Sequence, residues 1–373
     1  MRRALRGLAV AAALLALAAC STTNKPTPSP LEDIAKPQAL ERPVWNAKLA
    51  GVDFPLFVAV NGGTFTLAGN DGQVLALAAD DGHELWRAEL GVALAAGVGS
   101  DGRYAAVVTR DNELVVLDAG KPLWRATLAS RVVTAPLVAG ERVFVMGVDR
   151  AVHAFDALDG HKLWSLARPG EALTLAQAGV LTAFADTLIV GQGPRLAGVD
   201  PLRGELRWET AVATPRGTNE VERLADLIGP AARVDGTLCV RAFQSAVGCL
   251  DGQRGTLAWS KNVGGNDPVA ADAQYVFGAD ASDRITAWRL ASGEVAWSNE
   301  RFLHRSLSGP LALDRAVVFG DGEGYVHFLA RDSGETLQRL PTDGSAVVGK
   351  PALSGTTLLV VTRKGGVHAF RPG

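Results

Sequence analysis

The sequence predicts an all-β protein, an eight-bladed β-propeller of four-stranded antiparallel blades whose last blade is closed by the N-terminal strand. Three observations predict it. Tryptophans recur at Trp45, Trp86, Trp124, Trp164, Trp208, Trp259 and Trp297, spaced by 41, 38, 40, 44, 51 and 38 residues, and Gln338 falls on the eighth beat. Short strand-like runs precede each beat in a constant order, and the two ends of the chain are complementary parts of one unit. A period near 40 marks a copied supersecondary unit that must stack on its neighbours to bury its apolar faces. Four-stranded copies at this period close radially.

Within each unit the third strand leads into a turn and then the tryptophan, as in Val74-Leu-Ala-Leu-Ala-Ala-Asp-Asp-Gly82-His-Glu-Leu-Trp86 and Val152-His-Ala-Phe-Asp156-Ala-Leu-Asp-Gly160-His-Lys-Leu-Trp164. The glycine four residues before the aromatic fits a hairpin turn that needs a positive φ. Asp156, Asp200 and Asp251 open that turn, where a short carboxylate accepts backbone N–H bonds. Upstream lie second strands such as Arg142-Val-Phe-Val, Thr187-Leu-Ile-Val and Thr357-Leu-Leu-Val-Val, rich in β-branched and aromatic residues. Weaker first strands such as Ala135-Pro-Leu-Val and Lys350-Pro-Ala-Leu precede them. Outside the N-terminus no segment has the 3.6-residue period of a helix.

The last unit runs out at Val367-His-Ala-Phe370 and lacks a fourth strand. Val44-Trp45-Asn-Ala-Lys-Leu49 reads like the fourth strands Leu85-Trp86-Arg-Ala-Glu-Leu90 and Leu123-Trp124-Arg-Ala-Thr-Leu128. Pairing the two ends closes the ring and removes two exposed sheet edges.

Residues 42–373 are therefore one propeller domain, and what precedes them is of a different kind. Arg2, Arg3 and Arg6 stand before an apolar stretch from Leu8 to Ala19, too short for a mature membrane span and suited to a signal-peptide core. It ends in Leu17-Ala18-Ala19-Cys20, which resembles the bacterial lipobox, so residues 1–19 are expected to be a lipoprotein signal and Cys20 the lipidation site. By resemblance to enterobacterial lipoproteins, Ser21 implies sorting to the outer membrane, and the simplest localisation is a lipid anchor on its periplasmic face. Pro26, Pro28, Pro30 and Pro37 make residues 20–41 a flexible tether, with a reach of roughly 25 Å for some twenty residues.

A formal net charge of −2 gives no basic footprint for nucleic acid. No catalytic residue, metal site or cofactor site is expected. His153, His327 and His368 share one repeat position on third strands of three blades, where ring geometry keeps them apart, and no His-Glu-x-x-His, Cys-x-x-Cys or phosphate-cradling loop occurs. Cys239 and Cys249 lie on the arms of one hairpin. A two-residue turn leaves them on opposite sheet faces, and a three-residue loop centred on Gln244 sets them opposite each other within bonding reach. The two-residue form, with buried free thiols, is the expectation.

Two consecutive intervals are stretched, in Arg168-Pro-Gly-Glu-Ala-Leu-Thr-Leu-Ala-Gln177 and in Thr214-Pro-Arg-Gly-Thr-Asn-Glu-Val-Glu-Arg-Leu-Ala-Asp-Leu227. Both insertions follow a fourth strand, so both leave from one face of the ring, and Leu173, Leu175, Leu224 and Leu227 among charges make a docking patch.

The repeat resembles that of pyrroloquinoline-quinone enzymes, Ala-x-Asp-x-x-x-Gly-x-x-x-Trp, which raises a periplasmic quinoprotein dehydrogenase as an alternative. This chain lacks that family's adjacent Cys-Cys pair and has no insertion large enough for a cofactor lid. Lipobox, tether, eight-bladed ring and the two long loops together resemble the BamB family, propeller lipoproteins of the outer-membrane β-barrel assembly (Bam) machine. The likeness covers the whole chain and is closest in Asn219-Glu-Val-Glu-Arg-Leu-Ala-Asp226, Phe302-Leu-His-Arg305 and Gly320-Asp-Gly-Glu-Gly-Tyr-Val-His327. The resemblance implies a non-enzymatic scaffold that binds periplasmic (POTRA) domains of the barrel subunit BamA, and through it other Bam subunits, by a Leu-x-Leu-Arg and an Asp-x-Asp segment. Leu173 and Leu175 match the first and Asp226 the first carboxylate of the second. Ala176 stands in place of the arginine and Ile228 in place of the second aspartate, so an apolar contact is expected to replace an ionic one, with Arg223 as an alternative source of the cation. A generic periplasmic adaptor with another partner is the third reading, and unfolded outer-membrane proteins are further candidate partners through exposed strand edges.

Overall fold

The structure is a computed structural model and describes residues 26–167, 173–215 and 217–372. Its thirty-two strands form eight separate four-stranded sheets, and seven of them use four strands consecutive in the chain. The eighth takes Glu41–Lys48 as its outer strand, antiparallel to Gly366–Pro372, with Glu41 opposite Pro372 and Lys48 opposite Gly366. The ring closes through its two ends, as the sequence predicts. Among the described residues no helix is long and apolar enough to cross a membrane.

Second and third strands are buried on both sides because each blade is covered by a neighbour on either face. Tyr104–Thr109 is buried at every position, which is why these strands read as continuous apolar runs rather than alternating ones. The core lies in the seams between blades. Phe65 and Leu75 of the first blade pack with Val107 and Val115 of the second and with Leu359 and Val361 of the eighth.

The tryptophans tie these seams. The Trp45 indole N–H donates to Ala79 O at 3.1 Å across the seam to the first blade, and the same bond runs from Trp124 to Ala157, Trp164 to Pro201, Trp259 to Leu290 and Trp297 to Arg331. Each ring lies flat on the glycine of the next blade's turn. A Cβ on Gly82 would come within 2.5 Å of the Trp45 ring, so glycine is required there both by its φ of +75° and by the aromatic above it.

The eighth seam has no such turn, since the chain ends supply two separate strands. Gln338 therefore does different work: its Oε1 accepts the N–H groups of Leu40 (3.1 Å) and Glu41 (2.9 Å), and its Nε2 donates to Glu41 O at 2.7 Å. The missing eighth tryptophan is an amide that binds the backbone of the strand closing the ring.

Two expectations are corrected. The hairpin joining Thr237–Ala242 to Ala246–Asp251 has a three-residue loop, with Gln244 in the left-handed region at φ +49°. This register sets Cys239 directly opposite Cys249, Cα atoms 4.1 Å apart, and the two form a buried disulfide. The second half of the expected tether is docked, with Ser29 N–H donating to Leu303 O and Gln38 N–H to Leu337 O, both at 2.9 Å. Its composition offered no helix or strand, but its backbone groups find partners on the seventh blade and the loop before it.

Antiparallel order fixes the two faces of the ring. Connections from a fourth strand to the next first strand share one face with the turns between second and third strands, the loop face. The remaining hairpins form the turn face.

Candidate docking site on the loop face

The longer insertion is shaped by its own side chains. Asn219 Oδ1 accepts the Glu222 N–H at 2.9 Å, while the Glu222 carboxylate accepts Asn219 Nδ2 at 2.9 Å and the Thr218 N–H at 2.7 Å. This reciprocal arrangement starts a single helical turn in the manner of a capping box, and Arg223 N–H returns to Asn219 O. The Thr218 N–H, first among these contacts, holds the Glu222 carboxyl below its ordinary range. The turn thrusts Val221 outward, at 67 % the most exposed large apolar side chain among the described residues.

The insertion then dives into the ring at Asp226. Arg150, in the turn between Arg142–Met146 and Val152–Asp156 of the third blade, places Nη2 2.9 Å from Asp226 Oδ1 and 3.3 Å from Leu173 O. The other carboxylate oxygen accepts the Leu175 N–H at 3.0 Å, and Gln192 of the fourth blade donates to Arg150 O at 3.1 Å. One half-buried ion pair thus fastens the loops before the fourth and fifth blades to the turn of the third. Gln177 Nε2 reaches Asn266 O in the loop before the sixth blade, and Gln244 Nε2 binds Asn266 Oδ1. The surface is one knitted patch across four blades.

Leu173, Leu175, Arg223, Leu224 and Asp226 are brought together here, with Leu173 exposed and the other four half-buried. Leu227 is not part of the surface: it is 3 % exposed, packs with Val180, Ile189 and Leu196, and its N–H donates to Gly193 O. Ile228 is likewise buried and bridged to Gly179, so it offers no apolar surface in place of a second aspartate. Inside the chain, Asp226 pairs with Arg150. Residues 168–172 of the shorter insertion, and Cys20, lie outside the described residues. Sequence reading passed over Val221, whose neighbours in the capping turn were the available signal, and Arg150, which is 76 residues from its partner.

Among the described residues the histidines are dispersed. His153 bonds Ser165, His368 bonds Asn46 and His327 bonds Asp321, on three different blades. The exposed pairs of Asp81 with His83 and Asp159 with His161 are contacts within one repeated turn. On the ring axis, a cavity of about 120 Å³ lined by Pro55, Leu56, Pro136, Leu181 and Pro230 is well below the roughly 300 Å³ and more of small-molecule sites.

Residues 70–299 match the family described as "Outer membrane protein assembly factor BamB". Proteins of that description from Burkholderia pseudomallei and Bordetella pertussis are 36 % and 35 % identical to the chain, covering 100 % and 99 % of it and 99 % and 97 % of their own lengths. The chain belongs to the BamB family. The crystal structure of BamB from Moraxella catarrhalis has the same fold, with TM-score 0.80 and 22 % identity over 89 % of this chain and all of that one. The quinohemoprotein alcohol dehydrogenase of Comamonas testosteroni shares the propeller at TM-score 0.68 and 16 % identity, covering 89 % of this chain and 76 % of its own. A propeller is thus common to enzymes and assembly factors, and the BamB family is one of assembly factors.

Proposed function

We propose that the chain is a non-enzymatic scaffold in the assembly and insertion of outer-membrane β-barrel proteins, anchored by lipid at Cys20 on the periplasmic face. It docks on the POTRA domains of BamA, and through BamA joins the other Bam subunits. The observation that carries this reading is the patch in which Leu173 and Val221 stand exposed above loops fastened by Arg150 and Asp226. Membership of the BamB family supports the assembly role.

Exposed apolar side chains are suited to fill partner pockets, and a few such anchors carry most of an interface's energy. Leu173→Glu with Val221→Glu tests the assignment, because neither change touches the core. The double variant, expressed as the full lipoprotein, is expected to keep its fold and lose co-purification with BamA at least ten-fold. Undiminished co-purification refutes the docking surface.

A further inference from the structure

The docked segment 29–40 runs in the groove between the sixth and seventh blades. At one end Leu40 and Glu41 are held by Gln338, at the start of Thr336–Pro341, just after a hairpin of the turn face. At the other end Ser29 N–H donates to Leu303 O, in the connection between the sixth and seventh blades on the loop face. Between them Arg339 Nη2 donates to Glu32 O at 3.0 Å and Arg301 Nε pairs with the Glu32 carboxylate at 3.3 Å, while Leu31 and Ile34 are half-buried.

The loop-face end is fixed by a buried charge cluster. Arg305 Nη1 donates to Ser29 O at 2.9 Å. Its Nε and Nη2 bind Asp321 Oδ2 at 2.9 and 2.7 Å, and the same oxygen meets His327 Nε2 at 2.9 Å. Arg305, Asp321 and His327 are almost wholly buried, and Glu323 joins the guanidinium from the same turn. The guanidinium that grips the segment is thus itself positioned by the core of the seventh blade.

We infer that residues 29–40 are a strap that moves the exit of the chain from the turn face to the loop face, and that the lipid anchor therefore holds the loop face toward the membrane. Without the strap the chain leaves the ring at Glu41 on the turn face, with twenty residues between it and Cys20. With it, nine Cα steps separate Cys20 from Ser29, a root-mean-square reach of roughly 17 Å. A six-residue blade strand is roughly 20 Å tall, so a tether of that reach keeps the strap's end, and with it the loop face, next to the bilayer. The docking patch shares that face. Its partner is then met on the membrane side of the ring. The anchoring half of this inference rests on lipidation of Cys20, and the strap itself does not.

Hydrogen exchange on the full-length lipoprotein in detergent tests the strap. The Ser29 and Gln38 amides are expected to exchange at least ten-fold more slowly than in a free peptide of the same sequence. Equal rates overturn the strap. Glu32→Arg, which sets a third cation against Arg301 and Arg339 at the surface, is expected to remove most of that protection without unfolding the ring.

Orientation is read in vesicles of phosphatidylethanolamine and phosphatidylglycerol carrying a headgroup nitroxide quencher. Fluorophores are placed at Lys364→Cys on the loop face or Thr356→Cys on the turn face of the eighth blade, both exposed. Quenching at 364 is expected to exceed that at 356 at least two-fold, and Glu32→Arg to shrink the difference. Equal or reversed quenching overturns the orientation while leaving the strap to the exchange result. Absence of acyl mass on the Cys20 peptide overturns the anchor alone.

Discussion

Arg150 and Asp226 lie on connections of the third and fifth blades, 76 residues apart in the chain, and meet at 2.9 Å on the loop face. Because Asp226 also accepts the Leu175 N–H, its carboxylate fixes the loop of the fourth blade between them. An acidic residue that resemblance suggests as a partner contact is in this chain an internal strut.

Arg150→Ala and Asp226→Ala should therefore each weaken binding to BamA about ten-fold, by loosening the loop that carries Leu173. Either change removes the same contact between Arg150 and Asp226, so the two losses should not add. A double-mutant cycle read by binding, with circular dichroism as the check on fold, is expected to give a coupling of about 1 kcal/mol. Additive losses contradict the strut.

Gly160→Ala probes a seam. A Cβ there would lie 2.5 Å from the Trp124 ring, at a φ of +77°. Left-handed strain and overpacking together predict a loss of about 2–4 kcal/mol, seen as a lower midpoint in urea. An unchanged midpoint would mean that the tryptophan seams do not hold the ring together.

The disulfide closes a short loop, ten positions from Cys239 to Cys249. The chain-entropy relation gives about 3 kcal/mol for a loop of this length. Cys239→Ala with Cys249→Ala should lower stability by about that amount, cavity effects aside, and leave BamA binding unchanged, since both residues are buried away from the loop face. Free thiols titrating in the denatured, unreduced wild type would contradict the bond.

Stability should fall with rising pH at the closing seam. Burial, without a cationic partner, pushes the Glu41 carboxyl up to about 7 from an ordinary 4.5. The folded state thus holds this proton more tightly than the unfolded chain. Its contribution is full below pH 4.5 and is lost as pH rises toward and through 7. Glu41→Gln should raise stability relative to wild type at pH 8 by roughly 1 kcal/mol, the figure discounted for partial exposure, and change little at pH 4. Thermal melts at the two pH values decide it; equal shifts at both would contradict the assignment.

Much of the fold is legible in the chain because a propeller is written locally. The tryptophan period, the turn glycines and the apolar runs each report one strand or hairpin, and their repetition gives the blade count. The match of Val44-Trp45 to other fourth strands shows how the ring closes. The same locality explains the misreadings. Between a two- and a three-residue loop at Gln244 nothing nearby in sequence decides, and one residue of register separates free thiols from a disulfide.

The two long loops stand out because they break the period, and Leu173, Leu175 and Asp226 because they match a family pattern. Sequence by itself determined the architecture, the two loops and the class of scaffold to which the chain belongs. Tertiary structure alone decided which of those residues face outward, that Leu227 is core, that Arg150 serves Asp226, that Gln338 receives the closing strand, and that residues 29–40 lie docked. Each of these depends on contacts between segments distant in sequence, and closing the ring is what brings those segments together.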